Sequence, residues 1–171
     1  ADVLAVENNY PYNLATRTIE VTKTKYDLPF NGSQNYFTEY SDDNCFKRVT
    51  GILYFDIYNT TTNEANYNNA LFYDYDVHGN VKELVFENKD NNLRSLQPLQ
   101  PLLHSVKKVA YDYDLISGNV NTVTFQPNVT DEQFIHKYKY DADNRIVEVQ
   151  TSRDKVIWEK DAKYNYYEHG P

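Results

Sequence analysis

The chain of 171 residues is short of several residue types on which common folds and sites depend. Its single cysteine, Cys45, excludes an intrachain disulfide, and no apolar run approaches the roughly 20 residues that a membrane-spanning helix needs. Five glycines are too few for the loops that cradle phosphates in nucleotide-binding proteins. We therefore expect neither a disulfide scaffold, nor insertion into a membrane, nor a nucleotide-dependent enzyme.

Positive charge is also scarce. The formal net charge is −8 and the isoelectric point is near 4.9. Binding to a phosphate backbone depends on clustered Lys and Arg side chains that displace counterions, so we expect no nucleic-acid partner. The same argument excludes an anionic membrane surface. This charge is typical of a soluble secreted or surface protein.

The lone cysteine does not have the surroundings of a nucleophile. Asp42, Asp43 and Asn44 directly precede Cys45. Neighbouring carboxylates raise the pKa of a thiol, whereas a reactive cysteine needs a lowered one. We expect a buried or incidental thiol with no chemical role.

Tyrosine is abundant instead. The chain has 17 Tyr and 8 Phe but only one Trp and no Met. Tyrosine favours strands, and its ring packs while its hydroxyl stays hydrated or hydrogen-bonded. This composition favours β-sheets with aromatic faces over a helical bundle.

A tyrosine–aspartate (YD) pattern recurs in the second half of the chain. Tyr-x-Tyr-Asp is followed by two or three residues, then Gly or Asn, and shortly by an apolar position. It occurs three times, at residues 73–81, 111–120 and 138–146. A fourth copy begins at Tyr164.

Each copy predicts a β-hairpin. The two tyrosines are two residues apart, so they lie on the same face of an incoming strand. The aspartate that follows can accept hydrogen bonds from main-chain N–H groups of the turn. Gly79, Gly118 and Asn144 then tolerate the positive φ that a short hairpin loop requires.

The predicted fold is all-β: successive YD-repeat hairpins form a twisted antiparallel sheet. We divide the chain into an irregular β-rich part, residues 1–70, and the hairpins of residues 71–171, within one continuous domain that is truncated at its C-terminus. Alternation predicts a strand over residues 18–25, and residues 46–58 predict one or two more. Residues 88–104, which contain Pro98 and Pro101, predict a loop, and residues 130–133 a single helical turn.

The repeats, with residues 139–146 and 166–171, resemble the bacterial Rhs/YD-repeat family, in the segment just before the Rhs-associated core. The resemblance implies a long sheet that spirals into a hollow shell, part of a large secreted or surface protein. It further implies that the partners are the rest of the parent chain and an enclosed C-terminal toxin. No residue here matches the autoproteolytic aspartates of the family's core.

Catalytic, cofactor and metal sites are not predicted. The pairs Asp74/Asp76 and Asp112/Asp114 could hold a hard cation, but we expect Asp76 and Asp114 to stabilise turns and the other two to be solvated. The histidines show no zinc spacing, so we assign them structural or exposed positions. An enzyme would need an unrecognised cleft with converging carboxylates.

A carbohydrate-binding or cell-adhesion module is the alternative function. Tyrosine faces on a flat sheet can stack on sugar rings. The candidate residues are Tyr73, Tyr75, Tyr111, Tyr113, Tyr138 and Tyr140. The competing interpretation is that these pairs form ladders across neighbouring strands and hold the sheet together. A purely structural wall predicts one apolar and one polar face without a deep pocket.

The fourth repeat has an incoming strand and a turn but no return strand. Its last strand would then be an unpaired edge, which can pair with a strand of another molecule. We expect edge-strand pairing between copies at this C-terminal edge.

Overall fold

The computed structural model describes residues 18–30, 32–58, 63–89 and 106–167. These residues form one antiparallel sheet of nine strands, each hydrogen-bonded to the next in chain order. The strands are β1 (Thr18–Tyr26), β2 (Val49–Tyr58), β3 (Asn69–Tyr75), β4 (Val81–Asn88), β5 (Val106–Tyr113), β6 (Val120–Phe125), β7 (Phe134–Tyr140), β8 (Ile146–Ser152) and β9 (Glu159–Lys163). The helical elements of the described part are three short 3₁₀ turns, Ser33–Tyr36, Asp42–Cys45 and Glu64–Asn66. The all-β prediction is confirmed.

The three YD copies are the hairpins β3–β4, β5–β6 and β7–β8, and they share one register. In each, the second tyrosine lies opposite the first residue of the outgoing strand, with a bulge directly beside it. The opposed pairs are Tyr75 and Val81, Tyr113 and Val120, and Tyr140 and Ile146. A bulge increases the local twist, so each repeat bends the sheet at the same point.

The turns of these hairpins follow the predicted chemistry. One carboxylate oxygen of each aspartate accepts two main-chain hydrogen bonds from the loop: Asp76 from His78 and Asn80, Asp114 from Ile116 and Ser117, and Asp141 from Asp143 and Arg145. The loop residue with positive φ is Gly79 (94°), Gly118 (73°) or Asn144 (61°).

A further repeat lies in the N-terminal part, where the sequence pattern did not reveal it. Tyr26 ends β1 opposite Val49, the first residue of β2, beside the same kind of bulge. The N–H of Asp27 donates to the carbonyl of Arg48 (3.1 Å), as the N–H of Asp76 does to that of Asn80 (2.9 Å). The loop of this hairpin runs from Asp27 to Arg48, far longer than the other three.

That long loop covers one face of β1–β4. We call its residues 28–30 and 32–48 the cap segment. Phe37 of the cap, with Tyr67, packs on buried side chains of three strands to form the hydrophobic core: Leu53, Phe55, Ala70, Phe72 and Val85. Residues 46–58, predicted as one or two strands, supply one, β2.

Two other segments complete the description. Residues 130–133 contribute the predicted single turn, since the N–H groups of Glu132 and Gln133 donate to the carbonyl of Val129. The loop predicted over residues 88–104 falls largely outside the described residues. Within the described ranges, no helix has the length and apolar character that crossing a membrane requires.

Candidate functional site: the tyrosine face

The predicted binding tyrosines lie on the face of the sheet opposite the hydrophobic core, and the cap segment reaches this face at Tyr75, where Arg48 lies over the ring. The strand registers place aromatic and aliphatic side chains on this face from one hairpin to the next. We call it the tyrosine face. In β3–β8 its apolar and aromatic members are Leu71, Tyr73, Tyr75, Val81, Leu84, Phe86, Val109, Tyr111, Tyr113, Val120, Val123, Phe125, Phe134, His136, Tyr138, Tyr140, Ile146 and Val149. The same registers place Asn69, Asn88, Lys107 and Thr151 on this face.

The opposite face differs over β5–β8, beyond the reach of the cap. There the same registers place mostly polar or charged side chains: Lys108, Ala110, Asp112, Thr122, Thr124, Lys137, Lys139, Glu148 and Gln150. Val106, Ser152 and the buried Ile135 (1% exposed) lie on this face too. Glu148 contacts both Lys139 (2.8 Å) and Lys160 (2.9 Å). One face is therefore largely apolar and aromatic, and the other is largely polar, with cross-strand ion pairs beside the buried Ile135.

The two tyrosines of a repeat stack on each other. The ring centroids of Tyr73 and Tyr75 are 6.5 Å apart with planes 19° apart, and those of Tyr111 and Tyr113 are 6.3 Å and 22° apart. The same-face prediction is confirmed. The predicted ladder between tyrosine pairs of neighbouring strands is wrong, because an outgoing strand, β4 or β6, separates successive pairs.

The contact between repeats is made instead by the hydroxyl of the second tyrosine. This hydroxyl donates a hydrogen bond to a main-chain carbonyl in the preceding hairpin, at the first residue of that hairpin's outgoing strand. We call the four tyrosines that donate these bonds the linking tyrosines. The bonds run from Tyr75 to Val49 (2.7 Å), Tyr113 to Val81 (3.0 Å), Tyr140 to Val120 (2.8 Å) and Tyr166 to Ile146 (2.7 Å).

Two of these links carry an additional cation–π contact. The guanidinium of Arg48 lies 5.5 Å from the ring of Tyr75, and that of Arg145 lies 4.7 Å from the ring of Tyr166. Each arginine directly precedes the residue whose carbonyl accepts the hydroxyl. The link thus uses the ring, the hydroxyl and the main chain together, which explains why tyrosine and not phenylalanine recurs at this position.

The first tyrosine of each repeat is placed differently. We call Tyr73, Tyr111 and Tyr138 the preceding tyrosines. All three are half-buried, and among the described residues their hydroxyls have no hydrogen-bond partner. Burial raises the pKa of Tyr73 and of Tyr138 above the ordinary value, so these phenols stay protonated and able to donate. They are the members of the predicted site that remain available to a ligand.

The described histidines take structural and exposed positions, as expected. His136 lies on the tyrosine face with its ring 5.0 Å from Phe134 and 6.0 Å from Phe125. His78 is exposed in the β3–β4 turn. His104 and His169 lie outside the described residues.

The four aspartates of the carboxylate pairs take different positions. Asp76 and Asp114 are engaged by their turns, as predicted, and Asp112 is exposed. Asp74 was expected to be solvated, and that expectation is wrong, because the core face of β3 buries it to 1% exposure. In the part of the chain that the structure describes, no three His, Cys, Asp or Glu side chains are grouped to hold a metal ion.

Asp74 belongs to a buried acidic group that the sequence pattern did not indicate. Glu83 lies directly opposite it on β4 and is also buried. Glu83 accepts hydrogen bonds from the N–H (2.8 Å) and hydroxyl (2.6 Å) of Thr38 in the cap, and pairs with Lys108 (3.2 Å). Asp74 has no such partner on either carboxylate oxygen within the described residues, and burial raises its pKa.

Cys45 is buried, as predicted. The hydroxyl of Tyr40 lies 3.2 Å from its sulfur, and burial raises the pKa of both groups. A raised pKa keeps the thiol protonated and unreactive. The geometry gives this residue a packing role.

A shallow recess of about 480 Å³ lies between the cap segment and the turns. Two carboxylates, Glu39 and Asp76, line it; Asp76 is engaged by its turn and Glu39 is exposed beside Lys82. The other lining residues are Tyr40, Ser41, Asn44, Tyr75, Val77, His78 and Leu115. The recess therefore lacks the converging free carboxylates that a hydrolytic site requires.

Comparison with known proteins returned no match, either to a family model, to a curated protein sequence or to a solved structure.

Proposed function

We propose that this chain is a non-catalytic structural segment of a large secreted or surface protein of the bacterial Rhs/YD-repeat type. In this proposal the sheet is part of the wall of a shell that encloses a C-terminal toxin. The resemblance of the repeat motif supports the family. The observation that carries the structural role is the bond from each linking tyrosine to the hairpin before it.

This bond makes the sheet extensible. Each hairpin supplies a carbonyl at the start of its outgoing strand and receives the next hairpin through a tyrosine hydroxyl. The same bulge recurs in every hairpin, so each added repeat turns the sheet in the same direction. A sheet with these properties can grow into a curved wall by repetition.

The two unlike faces give the wall an inside and an outside. The polar face of β5–β8 carries charged side chains such as Lys139, Glu148 and Lys160, which suit contact with water. The tyrosine face suits contact with an enclosed polypeptide, whose apolar side chains can pack on the aromatic rings. We therefore assign the tyrosine face to the interior of the shell.

Chemical labelling tests this assignment. Thr122 and Val123 are adjacent in β6 and lie on opposite faces. Variants Thr122→Cys and Val123→Cys of the full-length protein, each made with the native Cys45 replaced by alanine, should differ in reaction with a bulky maleimide. We expect rapid labelling at residue 122 and protection at residue 123. Equal labelling of both would contradict a closed wall, and denatured protein provides the control for intrinsic reactivity.

Carbohydrate binding is the second candidate. The preceding tyrosines favour it, because Tyr73, Tyr111 and Tyr138 share one face and their hydroxyls have no partner in the described residues. A glycan array probed with the wild type and with Tyr111→Ala tests it. Reproducible binding that the substitution abolishes would support adhesion as the function. Absence of binding would leave the structural wall as the interpretation.

A further inference from the structure

Tyr26 lies where a linking tyrosine would be expected, but its hydroxyl has no carbonyl acceptor among the described residues. It occupies the position of Tyr75 and Tyr113: it ends an incoming strand, opposite the first residue of the outgoing strand, beside a bulge. Its side chain is 57% exposed, and in the described residues its hydroxyl has no hydrogen-bond partner. β1 is the first strand of the sheet, so its outer edge is unpaired within the described part.

The rest of the molecule shows what such a tyrosine binds. In four instances the hydroxyl reaches the carbonyl of a residue that begins an antiparallel strand, on the side away from its own hairpin. The missing partner of Tyr26 is therefore an extended strand that runs antiparallel to β1. Its main chain would pair with the open edge, as in strand addition.

We propose that this strand is β1 of a second copy of the chain, so that two sheets join edge to edge about a two-fold axis. β1 is antiparallel to its own copy in such a pair. Each Tyr26 then lies at the start of the partner strand and can donate to a carbonyl there. One symmetric contact would give the Tyr26 hydroxyl of each copy a carbonyl acceptor in the other copy. Because such a contact uses the same surface on both molecules, the assembly stops at a dimer. The proposal rests on the link geometry and goes beyond the proposed wall function.

The side chains of β1 permit this pairing. Lysines usually protect an edge strand, but Lys23 and Lys25 both bind Glu64 (2.9 and 2.6 Å), and Lys23 also lies 4.1 Å from the ring centre of Tyr58. A two-fold axis at Thr22 would set Lys23 opposite Val21 and Lys25 opposite Ile19, so that no lysines face each other. Thr24 would lie opposite Glu20, whose φ of 54° interrupts the extended backbone, so main-chain pairing would be continuous over residues 21–23 and broken at residue 20 of each copy. The side chain of Ile19, which is 68% exposed, would be partly buried against the other copy.

The other edge is less suited to pairing. β9 has five residues, against nine in β1, and four of the five are charged: Glu159, Lys160, Asp161 and Lys163. An alternating charged edge of this length is a common protection against strand addition. The pairing between copies that the sequence predicted for the C-terminal edge is thus better placed at β1.

Sedimentation velocity over a range of micromolar concentrations tests the proposal. We expect a monomer–dimer equilibrium for the wild type. Tyr26→Phe should raise the dissociation constant by roughly 5- to 100-fold, because each dimer loses two hydroxyl hydrogen bonds. Thr24→Lys, which adds an unpaired lysine to the exposed edge, should abolish the dimer. Thr130→Lys adds the same charge at an exposed turn and should leave it unchanged.

Far-ultraviolet circular dichroism of each variant confirms that the sheet is retained. A wild type that is monomeric throughout the range would overturn the proposal. So would a dimer that resists both Tyr26→Phe and Thr24→Lys, or a monomer in which the amides of β1 are protected from hydrogen exchange by another part of the chain. None of these results would alter the labelling contrast between residues 122 and 123 on which the wall proposal depends.

Discussion

Asp74 and Asp112 occupy the same position in consecutive repeats, yet the first is 1% exposed and the second is exposed. Each lies between the two tyrosines of its motif and points away from the tyrosine face. The core and the cap segment lie over β3 at Asp74, whereas the same face of β5 is open at Asp112. The same position of the repeat is therefore buried where the cap segment covers it and exposed to solvent where the cap segment is absent.

The burial of Asp74 predicts a stability that depends on pH. Burial raises the folded-state pKa of this carboxyl, so the stability it contributes is present below its unfolded-state pKa and is lost as pH rises through the folded-state pKa. Asp74→Asn removes the charge. We expect the variant to be about 1–3 kcal/mol more stable than the wild type at neutral pH, because an uncharged amide costs less to bury than an unpaired carboxylate. Urea titrations at a series of pH values measure the difference.

Asp112→Asn is the matched control, because the residue has the same neighbours in the repeat but faces solvent. We expect its stability to equal that of the wild type across the same pH range. A destabilised Asp74→Asn at neutral pH would show that the buried carboxylate is favourably held, and would contradict the account.

The turn glycines give a second prediction. Gly79 and Gly118 both have positive φ, but a Cβ at Gly79 would collide with the guanidinium of Arg48, whereas a Cβ at Gly118 meets open space. Gly118→Ala should cost about 1 kcal/mol from backbone strain alone. Gly79→Ala should cost more, and Arg48→Ala should recover part of the excess. Thermal unfolding measures these stabilities. Equal losses of stability in Gly79→Ala and Gly118→Ala would exclude a steric contribution from Arg48.

Hairpins were predictable from the sequence because they depend on local chemistry. The tyrosine spacing, the aspartate that accepts from the loop and the residue with positive φ all lie within one short segment, such as residues 73–81. The same reasoning missed the hairpin at Tyr26, since about twenty residues of cap separate its aspartate from its outgoing strand. The cap replaces the short turn, so the Asp-to-Gly or Asp-to-Asn spacing that marks the other hairpins is lost, while the register of the two strands stays the same.

The roles of individual side chains were less predictable. A motif such as Tyr111–Asp112–Tyr113 does not show which tyrosine carries the link, because the acceptor, Val81, lies in the preceding hairpin. Asp74 is buried close to Tyr40 and Cys45 of the cap, which are distant from it in sequence. Contacts of this kind follow from packing over long range and have no local pattern.

The turn aspartates predict a loss of stability in acid. Main-chain and side-chain hydrogen bonds from Ser117, and the main-chain N–H of Ile116, hold the pKa of Asp114 below its ordinary value. Stability from this group is therefore present above the unfolded-state pKa of about 3.9 and is lost as pH falls through the folded-state pKa. Asp114→Ala should lower the melting temperature at neutral pH, and the difference should shrink in acid. A constant difference down to low pH would contradict this assignment, and Asp112→Ala serves as the control.

The central claim is that the hydroxyl of the second tyrosine, and not that of the first, holds the repeats together. Thermal unfolding of Tyr113→Phe beside Tyr111→Phe tests it most directly, because the two rings stack on each other and each variant loses only an oxygen. Tyr113→Phe should lose about 1 kcal/mol, or roughly 2–4 °C, since the carbonyl of Val81 loses its donor. Tyr111→Phe should melt like the wild type. Equal melting temperatures for the two variants, or a greater loss for Tyr111→Phe, would contradict the account.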